Sequence, residues 1–407
     1  MKLFHDQQTR IENLTTKLFH IIQPLQIERC GLLDGAAGEI LFAATLFKYR
    51  GEEEYLEFAT TRLESCLEQV YQGTVKDLSF VAGVSGISWL LQYLVANGFL
   101  DEDVLQAIDP LEDAVIAAAR MDMDNDRFDP LYGLVGKAVY LNLSSRTVSN
   151  DILEEIVQYF AETRIREGEA CYWMRKAKFQ SDTSPEAINF HDVCDLGIAH
   201  GMTGIILLFC QLFESNICRK QLTEMVYASI HWLLSKEQQG NIYQFPATIS
   251  GVYNDTESRI GWCYGDLGIA YMLIKSGKTF QNDHWVKKGI EVARRCTARN
   301  VRTAGITSYS RYPYIDGTFC HGASGIYYLF HKINSITQDD QLLSAIKDWG
   351  LLTLRLTERY IQRNELRSGY YTEKHHSGLL NGYTGIGLTL LSMLDEENAT
   401  WDKCLFL

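Results

Sequence analysis

A short phrase, Gly-x-x-Gly, recurs seven times along this chain and constrains its fold more than any other feature of the sequence. Successive copies begin roughly 50 to 70 residues apart, which is the spacing of an internal structural repeat with insertions. Equivalent positions of such repeats take equivalent places in the folded chain, so the copies can be compared residue by residue. The seven pairs are Gly35/Gly38, Gly83/Gly86, Gly133/Gly136, Gly201/Gly204, Gly265/Gly268, Gly322/Gly325 and Gly382/Gly385.

Each pair opens an apolar stretch of helix length, as at 205–213 and 386–394. These stretches are apolar on nearly all sides, which is typical of a helix buried on most of its surface. Because amphipathic stretches alternate with them, we expect seven inner-type and seven outer-type helices. The predicted fold is all-α, an α/α toroid whose inner helices line a central cavity, and it forms one domain over 1–407. The amphipathic stretches lie near 5–24, 52–71, 101–120, 150–167, 219–235, 283–299 and 340–361.

The connections into the inner helices are long in the second half of the chain. Long connections in compact domains are usually functional or disordered, and these are rich in aromatic and β-branched residues, so we expect small β-hairpins in them. They end at the N-termini of the inner helices, where free N–H groups and the helix dipole favour anions. The four connections lie near 168–199, 236–262, 300–319 and 362–380.

Net charge, apolar runs and cysteine content indicate which partners and which cellular compartment to expect. The net charge of −13 argues against nucleic acid and anionic membranes as main partners. The chain shows neither an apolar export signal at its start nor a run of 18 apolar residues, so we expect a soluble, cytoplasmic protein. Its ten cysteines are then expected to be reduced, and most of them to be buried as small apolar residues.

One repeat position changes character in two neighbouring copies. Cys263 and Cys320 lie two residues before the first glycine, where the other five copies have Leu, Val or Ala, and His321 follows Cys320. Equivalent positions in adjacent repeats should meet, and two thiolates with one imidazole suit a tetrahedral Zn²⁺ whose fourth position is open. The alternative is that both cysteines are buried apolar residues and that His321 caps a helix.

A second histidine occupies the position of His321 one repeat before Cys263. This residue, His200, should face the cavity without a neighbouring cysteine, and a histidine in that place is suited to proton transfer near neutral pH. Asp129, ahead of the third glycine pair, could orient it. The alternatives are a hydrogen-bonded core histidine and an Asp that caps a helix.

Two further residues flank the first cysteine. Arg259 precedes Cys263 by four positions and could stabilise a developing oxyanion, whereas its alternative role is a surface ion pair. Tyr264 follows Cys263 directly, and aromatic packing is the alternative role for it.

These residues lie in phrases that resemble a known family. The chain resembles the lanthionine synthetase C-like proteins, and most closely the stand-alone bacterial lanthipeptide cyclases of the nisin-cyclase type. The resemblance covers all seven repeats, and its most specific part is Trp-Cys-Tyr-Gly together with Cys-His-Gly. The matching phrases are Ala199-His-Gly-Met-Thr-Gly204, Ser258-Arg-Ile-Gly-Trp-Cys-Tyr-Gly265, Cys320-His-Gly-Ala-Ser-Gly325 and Asn381-Gly-Tyr-Thr-Gly-Ile386.

The resemblance implies a toroid of seven inner and seven outer helices, with a small β-containing lobe inserted near 168–199 that contacts the substrate peptide. It implies that Cys263, Cys320 and His321 bind one zinc ion per chain. It also implies that the active-site His, Asp, Arg and Tyr of the family fall on His200, Asp129, Arg259 and Tyr264. The match at Asp129 rests on Asp-x-x-x-Gly alone.

The predicted function is therefore the cyclisation of a dehydrated precursor peptide that carries a leader. A peptide Cys thiolate adds to dehydroalanine or dehydrobutyrine and gives a lanthionine or methyllanthionine thioether. The chain has no room for a dehydratase beside the toroid, so a separate dehydratase must act first. A complex with that dehydratase and an export transporter is plausible by resemblance, which would bring the protein peripherally to a membrane.

Two other functions stay open from the sequence. One is a glycosidase on a related toroid that uses Asp34, Asp266 or Asp316, although paired carboxylates do not require the cysteines and His321. The other is a member of the same superfamily that binds glutathione, another thiol or a peptide without cyclase activity.

Overall fold

The chain is described by a computed structural model that covers residues 3–181, 184–250, 257–308, 314–366, 377–395 and 400–407. It is mostly helical, with short strands in the connections between helices. In the described residues, no helix is long and apolar enough to cross a membrane.

A helix begins directly after the first glycine of every pair, as the repeat predicts. These seven inner-type helices are buried along most of their length, because apolar side chains project from nearly all sides of each helix. They are α2 (Ala36–Arg50), α4 (Val84–Ala96), α7 (Leu134–Leu141), α9 (Met202–Glu214), α11 (Asp266–Thr279), α13 (Ala323–Thr337) and α15 (Tyr383–Leu394).

Outer-type helices occupy the stretches before and between them, and all but the five-residue α5 have one buried and one exposed face. They are α1 (Gln8–Ile22), α3 (Glu53–Tyr71), α5 (Asp103–Ala107), α6 (Asp109–Asp124), α8 (Thr147–Thr163), α10 (Arg219–Leu234), α12 (Asp283–Cys296) and α14 (Leu343–Arg363). The stretch predicted near 101–120 is therefore two helices, α5 and α6, and the second continues to Asp124.

The glycines before the inner helices are required mainly by close backbone approach. A Cβ atom on Gly133 would lie 2.2 Å from the carbonyl oxygen of Arg127, a distance that real side chains do not reach. Gly265 differs from the other six, because its φ of 128° is one that other residues rarely adopt. The other six have an extended backbone, so close approach and not an unusual φ accounts for their glycines.

All of the described strands but the first lie in the long connections, where hairpins are predicted; the first takes the end of the stretch predicted as an outer helix near 150–167. β1 (Ile165–Glu167) pairs with β2 (Ala170–Tyr172), and β6 (Thr307–Ser308) pairs with β7 (Tyr314–Ile315). A three-stranded antiparallel sheet has the order β3 (Arg175–Ser181), β4 (Ser184–Asp195) and β5 (Thr248–Ser250). The inserted lobe near 168–199 stays a prediction, and most of the connection near 362–380 lies outside the described residues.

Contacts between Cα atoms divide the chain into two units. Unit 1 comprises residues 1–118 and 300–407, and unit 2 comprises residues 119–299. In unit 1, inner helix α2 contacts both α4 and α15, so the last repeat packs against the first. In unit 2, α9 contacts both α7 and α11. Most inner helices also pack on the outer helix that follows them, as in the pairs α2 with α3, α7 with α8, α9 with α10, α11 with α12 and α13 with α14.

A line of backbone hydrogen bonds joins equivalent positions of the repeats in unit 1. The N–H of Cys320 donates to the carbonyl of Leu380, that of Leu380 to Leu33, and that of Leu33 to Val81, over 2.8 to 3.0 Å. Each donor and acceptor lies two residues before the first glycine of its pair. In each bond, one repeat provides the N–H group and the next repeat provides the carbonyl oxygen. The seventh repeat donates to the first.

The same bond occurs in unit 2. The N–H of Ala199 donates to the carbonyl of Cys263 over 3.2 Å, again between equivalent positions of consecutive repeats. It fixes the segment that carries His200 against the segment that carries Cys263 and Tyr264.

Candidate active site

The predicted site residues lie at the starts of three inner helices. His200, Tyr264 and His321 each precede the first glycine of a pair, ahead of α9, α11 and α13. Cys263 and Cys320 lie one residue earlier and are buried, with 5% and 7% of their surface exposed. The repeat therefore delivers chemically active side chains to corresponding helix N-termini.

The three predicted metal ligands come together. The sulfur atoms of Cys263 and Cys320 and a ring nitrogen of His321 all lie within 4.8 Å of one another. Ligand atoms around one tetrahedral zinc lie about 3.4 to 3.8 Å apart, given bonds of ~2.3 Å to sulfur and ~2.0 Å to nitrogen. Two thiols and an imidazole in a buried cluster of this size fit a zinc ion, with small inward movements of the side chains. They leave a fourth position for another ligand.

His200 and Asp129 form a hydrogen-bonded pair in unit 2. Nδ1 of His200 lies 2.7 Å from Oδ2 of Asp129, while Oδ1 of Asp129 accepts from the backbone N–H groups of Leu131 and Tyr132 at 2.8 and 3.0 Å. The carboxylate is thus held by its own loop and aimed at the imidazole. This arrangement fixes Nδ1 as the nitrogen that faces Asp129, so Nε2 is the one left to face a substrate.

The contact between His200 and Asp129 shifts the pKa of both side chains. Burial works to lower the pKa of His200, but the hydrogen bond to Asp129 and the charges of Asp129 and Asp195 outweigh it and raise that pKa above its ordinary value. Burial works to raise the pKa of Asp129, and the hydrogen bond and charge of His200 overcome this and lower it. Both shifts favour an imidazolium beside a carboxylate.

Two tyrosines flank the imidazole of His200. The ring of Tyr132 lies nearly parallel to it, with centroids 6.4 Å apart, and the ring of Tyr264 lies 5.9 Å away at 34°. Burial, and then the charge of Asp195, raise the pKa of the Tyr264 phenol, so it stays neutral and donates its hydrogen bond.

Asp195 and Arg175 extend this group of side chains and are absent from the residues chosen on sequence grounds. Oδ1 of Asp195 accepts from the Tyr264 hydroxyl at 3.1 Å, and Oδ2 accepts from Nε of Arg175 at 2.5 Å. Asp195 lies six residues before Gly201, as Arg259 lies six before Gly265. Asp77 and Asp316 hold the same position in other repeats, so the repeat alone does not single out Asp195, and Arg175 comes from β3 and has no repeat counterpart.

Arg259 is half-buried and directly precedes Ile260, which forms a bridge with Gly265. Its carbonyl oxygen lies beneath Gly265, 1.8 Å from where a Cβ would be. This backbone contact accounts for the glycine at 265. The role of the Arg259 guanidinium as an oxyanion partner stays a prediction.

A cavity of about 920 Å³ opens beside the His200 pair in unit 2. Asp129 and Tyr132 line it, and Arg175 does so too. The cavity therefore gives an approach to the Asp129 carboxylate and to the Tyr132 ring that stacks on His200.

The carboxylates considered for a glycosidase each serve a local contact. Asp34 pairs with Arg29 at 3.1 Å, and Asp316 accepts from the backbone and hydroxyl of Thr318. Asp266 accepts from two backbone N–H groups and pairs with the buried Arg299, and burial raises its pKa to about 6. Each is explained by loop and helix-start structure.

Comparison with known proteins gives the family. Residues 26–406 match the sequence model of the lanthionine synthetase C-like proteins. The chain belongs to that family. The assignment made from the Cys-His-Gly and Trp-Cys-Tyr-Gly phrases is thereby confirmed.

Individual relatives within the family are distant. The nisin biosynthesis protein NisC of Lactococcus lactis subsp. lactis is 20% identical over 92% of this chain and 88% of its own. The glutathione S-transferase LANCL1 of Danio rerio is 22% identical over 79% of this chain and 74% of its own.

A solved structure of nisin cyclase superposes with a TM-score of 0.75 and 18% identity, over 98% of this chain and 97% of that one. The likeness confirms the fold predicted from the repeat, an α/α toroid.

Proposed function

We propose that this protein is a zinc-dependent lanthipeptide cyclase. It adds Cys thiols of a dehydrated, leader-bearing precursor peptide to dehydroalanine or dehydrobutyrine and forms lanthionine or methyllanthionine rings. One S–Cβ bond forms, the π electrons of the C=C bond move into an enolate, and a proton then reaches Cα. The reaction is the net addition of S–H and needs no oxidant or reductant.

Cys263, Cys320 and His321 would hold the zinc ion. A zinc ion bound there supplies a template and a deprotonated substrate thiol at neutral pH. The two protein thiolates balance its charge, so an incoming thiolate keeps its nucleophilicity. The three ligands come from segments joined to neighbouring repeats by backbone hydrogen bonds, which holds them in place before metal arrives.

His200 is the residue that moves a proton. Its Nδ1 is held by Asp129, so Nε2 donates the proton that the enolate receives at Cα, and it can take one up at an earlier stage. The hydrogen bond and charge of Asp129 raise the pKa of His200 and so favour its protonated form, which a general acid requires. Arg259 polarises the amide carbonyl of the dehydro residue, and Tyr264 supports the imidazole.

The observation that carries the proposal is the meeting of Cys263, Cys320 and His321 within 4.8 Å in a chain of this family. It is supported by the His200–Asp129 pair, which supplies a proton donor, and by the likeness to NisC and nisin cyclase. A separate dehydratase and an export transporter complete the set of proposed partners.

The test is ring formation by the purified protein. A dehydrated precursor peptide is incubated with the protein, free thiols are then alkylated, and the product is weighed, so each closed ring removes one alkyl group. The wild type should leave few alkylated thiols. His200→Ala should leave them alkylated while zinc content stays unchanged, because His200 is not a ligand.

His231 provides the matched control, since it is an exposed histidine on α10. His231→Ala should form rings at the wild-type rate. Full turnover by His200→Ala would remove that residue from the mechanism, and absence of ring formation by the wild type would contradict the cyclase function.

A second candidate follows from the Danio rerio relative, which is named a glutathione S-transferase. Here the thiol would come from glutathione rather than from the same peptide. Adding glutathione to the assay separates the two: a transferase yields an intermolecular adduct of higher mass, whereas a cyclase yields a product of unchanged mass that resists alkylation.

A further inference from the structure

Asp195 links the loop that carries His200 to the loop that carries Tyr264. It is 3% exposed and lies at the end of β4, five residues before His200. One carboxylate oxygen accepts from the Tyr264 hydroxyl and the other from Arg175 Nε. A buried carboxylate whose two oxygens both accept hydrogen bonds has one orientation, so it holds the donor side chains in place.

Tyr264 is held on its other sides by the same loop. A Cβ atom on Gly197 would lie 2.8 Å from Cδ1 of Tyr264 and 2.1 Å from the carbonyl oxygen of Cys263. The Tyr264 ring therefore packs directly on the backbone of Gly197, where a larger residue would place its Cβ too close to the ring. With the Ala199–Cys263 hydrogen bond, three separate contacts hold Tyr264 to the segment that ends in His200.

Arg175 brings in a charge from outside the repeat. It lies at the start of β3, its side chain is 32% exposed, and it lines the cavity that Asp129 also lines. Its Nε–H donates to Asp195, and the charge of the guanidinium balances the buried carboxylate. Removing that charge would leave Asp195 buried without its cation, which destabilises its present orientation.

We propose that Asp195 and Arg175 are positioning residues of the active site. They hold the Tyr264 ring, and the ring with Tyr132 confines the imidazole of His200 to one plane. The inference rests on the proposed cyclase function and names residues that act through Tyr264 rather than on substrate.

The consequence concerns the face of the enolate that is protonated. A confined imidazole delivers its proton from one side, so Cα takes one configuration. An imidazole that turns more freely, or bulk water in its place, delivers protons to both faces. Loosening Tyr264 should therefore lower both the rate and the configurational purity of the rings.

The main variant is Asp195→Asn. Its amide either places the N–H₂ group against Arg175 Nε–H, where two donors face each other, or turns it to the Tyr264 hydroxyl, which must then accept instead of donate; in both cases the ion pair with Arg175 is lost. We expect kcat to fall about tenfold with KM within about twofold, since binding is untouched and only orientation is lost. Zinc content should stay at the wild-type value, and the minor diastereomer, measured by chiral chromatography of hydrolysed rings, should increase.

A double-mutant cycle with Tyr264→Phe tests the route of the effect. Tyr264→Phe removes the hydroxyl that Asp195 accepts, so adding Asp195→Asn to it should change kcat by less than about twofold. Asp77→Asn is the matched control, because Asp77 holds the same repeat position as Asp195 and bonds the backbone N–H of Ser79. It should keep the wild-type rate and diastereomer ratio.

Arg175→Gln carries the test if Asp195→Asn lowers the melting temperature too far, since a half-exposed side chain tolerates the change. It should give the same increase in minor diastereomer. An undiminished rate and purity in both variants would overturn the positioning role while leaving the cyclase function intact, as would a full tenfold loss for Asp195→Asn in the Tyr264→Phe background. A wild type that closes no rings would overturn both.

Discussion

Replacing Asp129 by Asn tests the role of His200 as proton donor, because it changes the hydrogen bond between Asp129 and Nδ1 of His200. The side chains have the same shape, so Oδ1 can still accept from Leu131 and Tyr132. The atom that faces Nδ1 of His200, 2.7 Å away, then becomes an amide nitrogen. Two N–H donors cannot face each other, so the imidazole must place its proton on Nε2 and accept at Nδ1.

The size of the loss follows from the kind of bond removed. A hydrogen bond to a charged group is worth about 1.5 to 3 kcal/mol. Both side chains are mostly buried, with 28% and 20% exposed, so solvent screens the bond only partly. If this energy stabilises the protonated imidazole on the path to the transition state, kcat should fall about 10- to 150-fold.

The pH dependence should change in a defined direction. Asp129 is among the groups that raise the pKa of His200, so in the variant this pKa falls. Activity that requires the imidazolium is lost as pH rises through that pKa. The variant should therefore lose activity at lower pH than the wild type does.

Stability gives an independent measure. A raised histidine pKa contributes stability that is fully present below the unfolded pKa of about 6.5 and is lost as pH rises through the folded value. A lowered aspartate pKa contributes stability above about 3.9 that is lost as pH falls through the folded value. Asp129→Asn should thus destabilise the protein more near pH 5.5 than near pH 9.

The assay is alkylation-coupled mass spectrometry of ring closure between about pH 5 and about pH 9. Asp77→Asn again serves as control, because Asp77 makes the same kind of turn bond to Ser79 in another repeat. A variant with the wild-type kcat and an unshifted pH profile would refute the assignment of His200 as the acid oriented by Asp129.

Two further substitutions test the metal centre and the close contact of Gly197 with the backbone of Cys263. Cys320→Ala should reduce zinc, measured by elemental analysis, from about one per chain to near zero, whereas Cys210→Ala, in the core of α9, should keep it; a zinc-replete Cys320→Ala protein would contradict the ligand set. Gly197→Ala should lower the free energy of unfolding by about 1 to 3 kcal/mol and slow ring closure, because its Cβ meets the carbonyl of Cys263. Gly268→Ala should cost far less in a denaturant titration, because its Cβ would meet side-chain atoms of Ile198 at 3.2 Å and no backbone atom closer than 3.7 Å; equal losses would argue against the backbone contact at Gly197.

Much of the helical framework could be predicted because the repeat is strict. Each inner helix begins one residue after a glycine that the sequence already marks. The end of α8 could not be predicted, since neither glycine nor proline occurs between Thr147 and Gly168 to mark it. In the structure the helix ends at Thr163 and Ile165 pairs with Tyr172 in a hairpin.

The site was predictable where it follows the repeat and not where it leaves it. The proximity of His200 to Asp129 could be suggested from neighbouring glycine pairs, because both lie at helix starts. Arg175 could not, because it reaches the site from a strand of the 168–199 connection, and only the folded register of β3 against β4 brings it to Asp195. The stack of Tyr132 on His200 likewise depends on side-chain directions that spacing does not encode.

The hydrogen bond from Leu380 to Leu33 has a consequence for how this architecture can change in evolution. An open array of repeats can be trimmed or lengthened at its ends, since a terminal copy has one neighbour only. Here the last copy is also a neighbour of the first, and deleting it would leave the carbonyl of Leu33 without its donor and the N–H of Cys320 without its acceptor. Variation should therefore accumulate as insertions within connections rather than as gain or loss of whole copies.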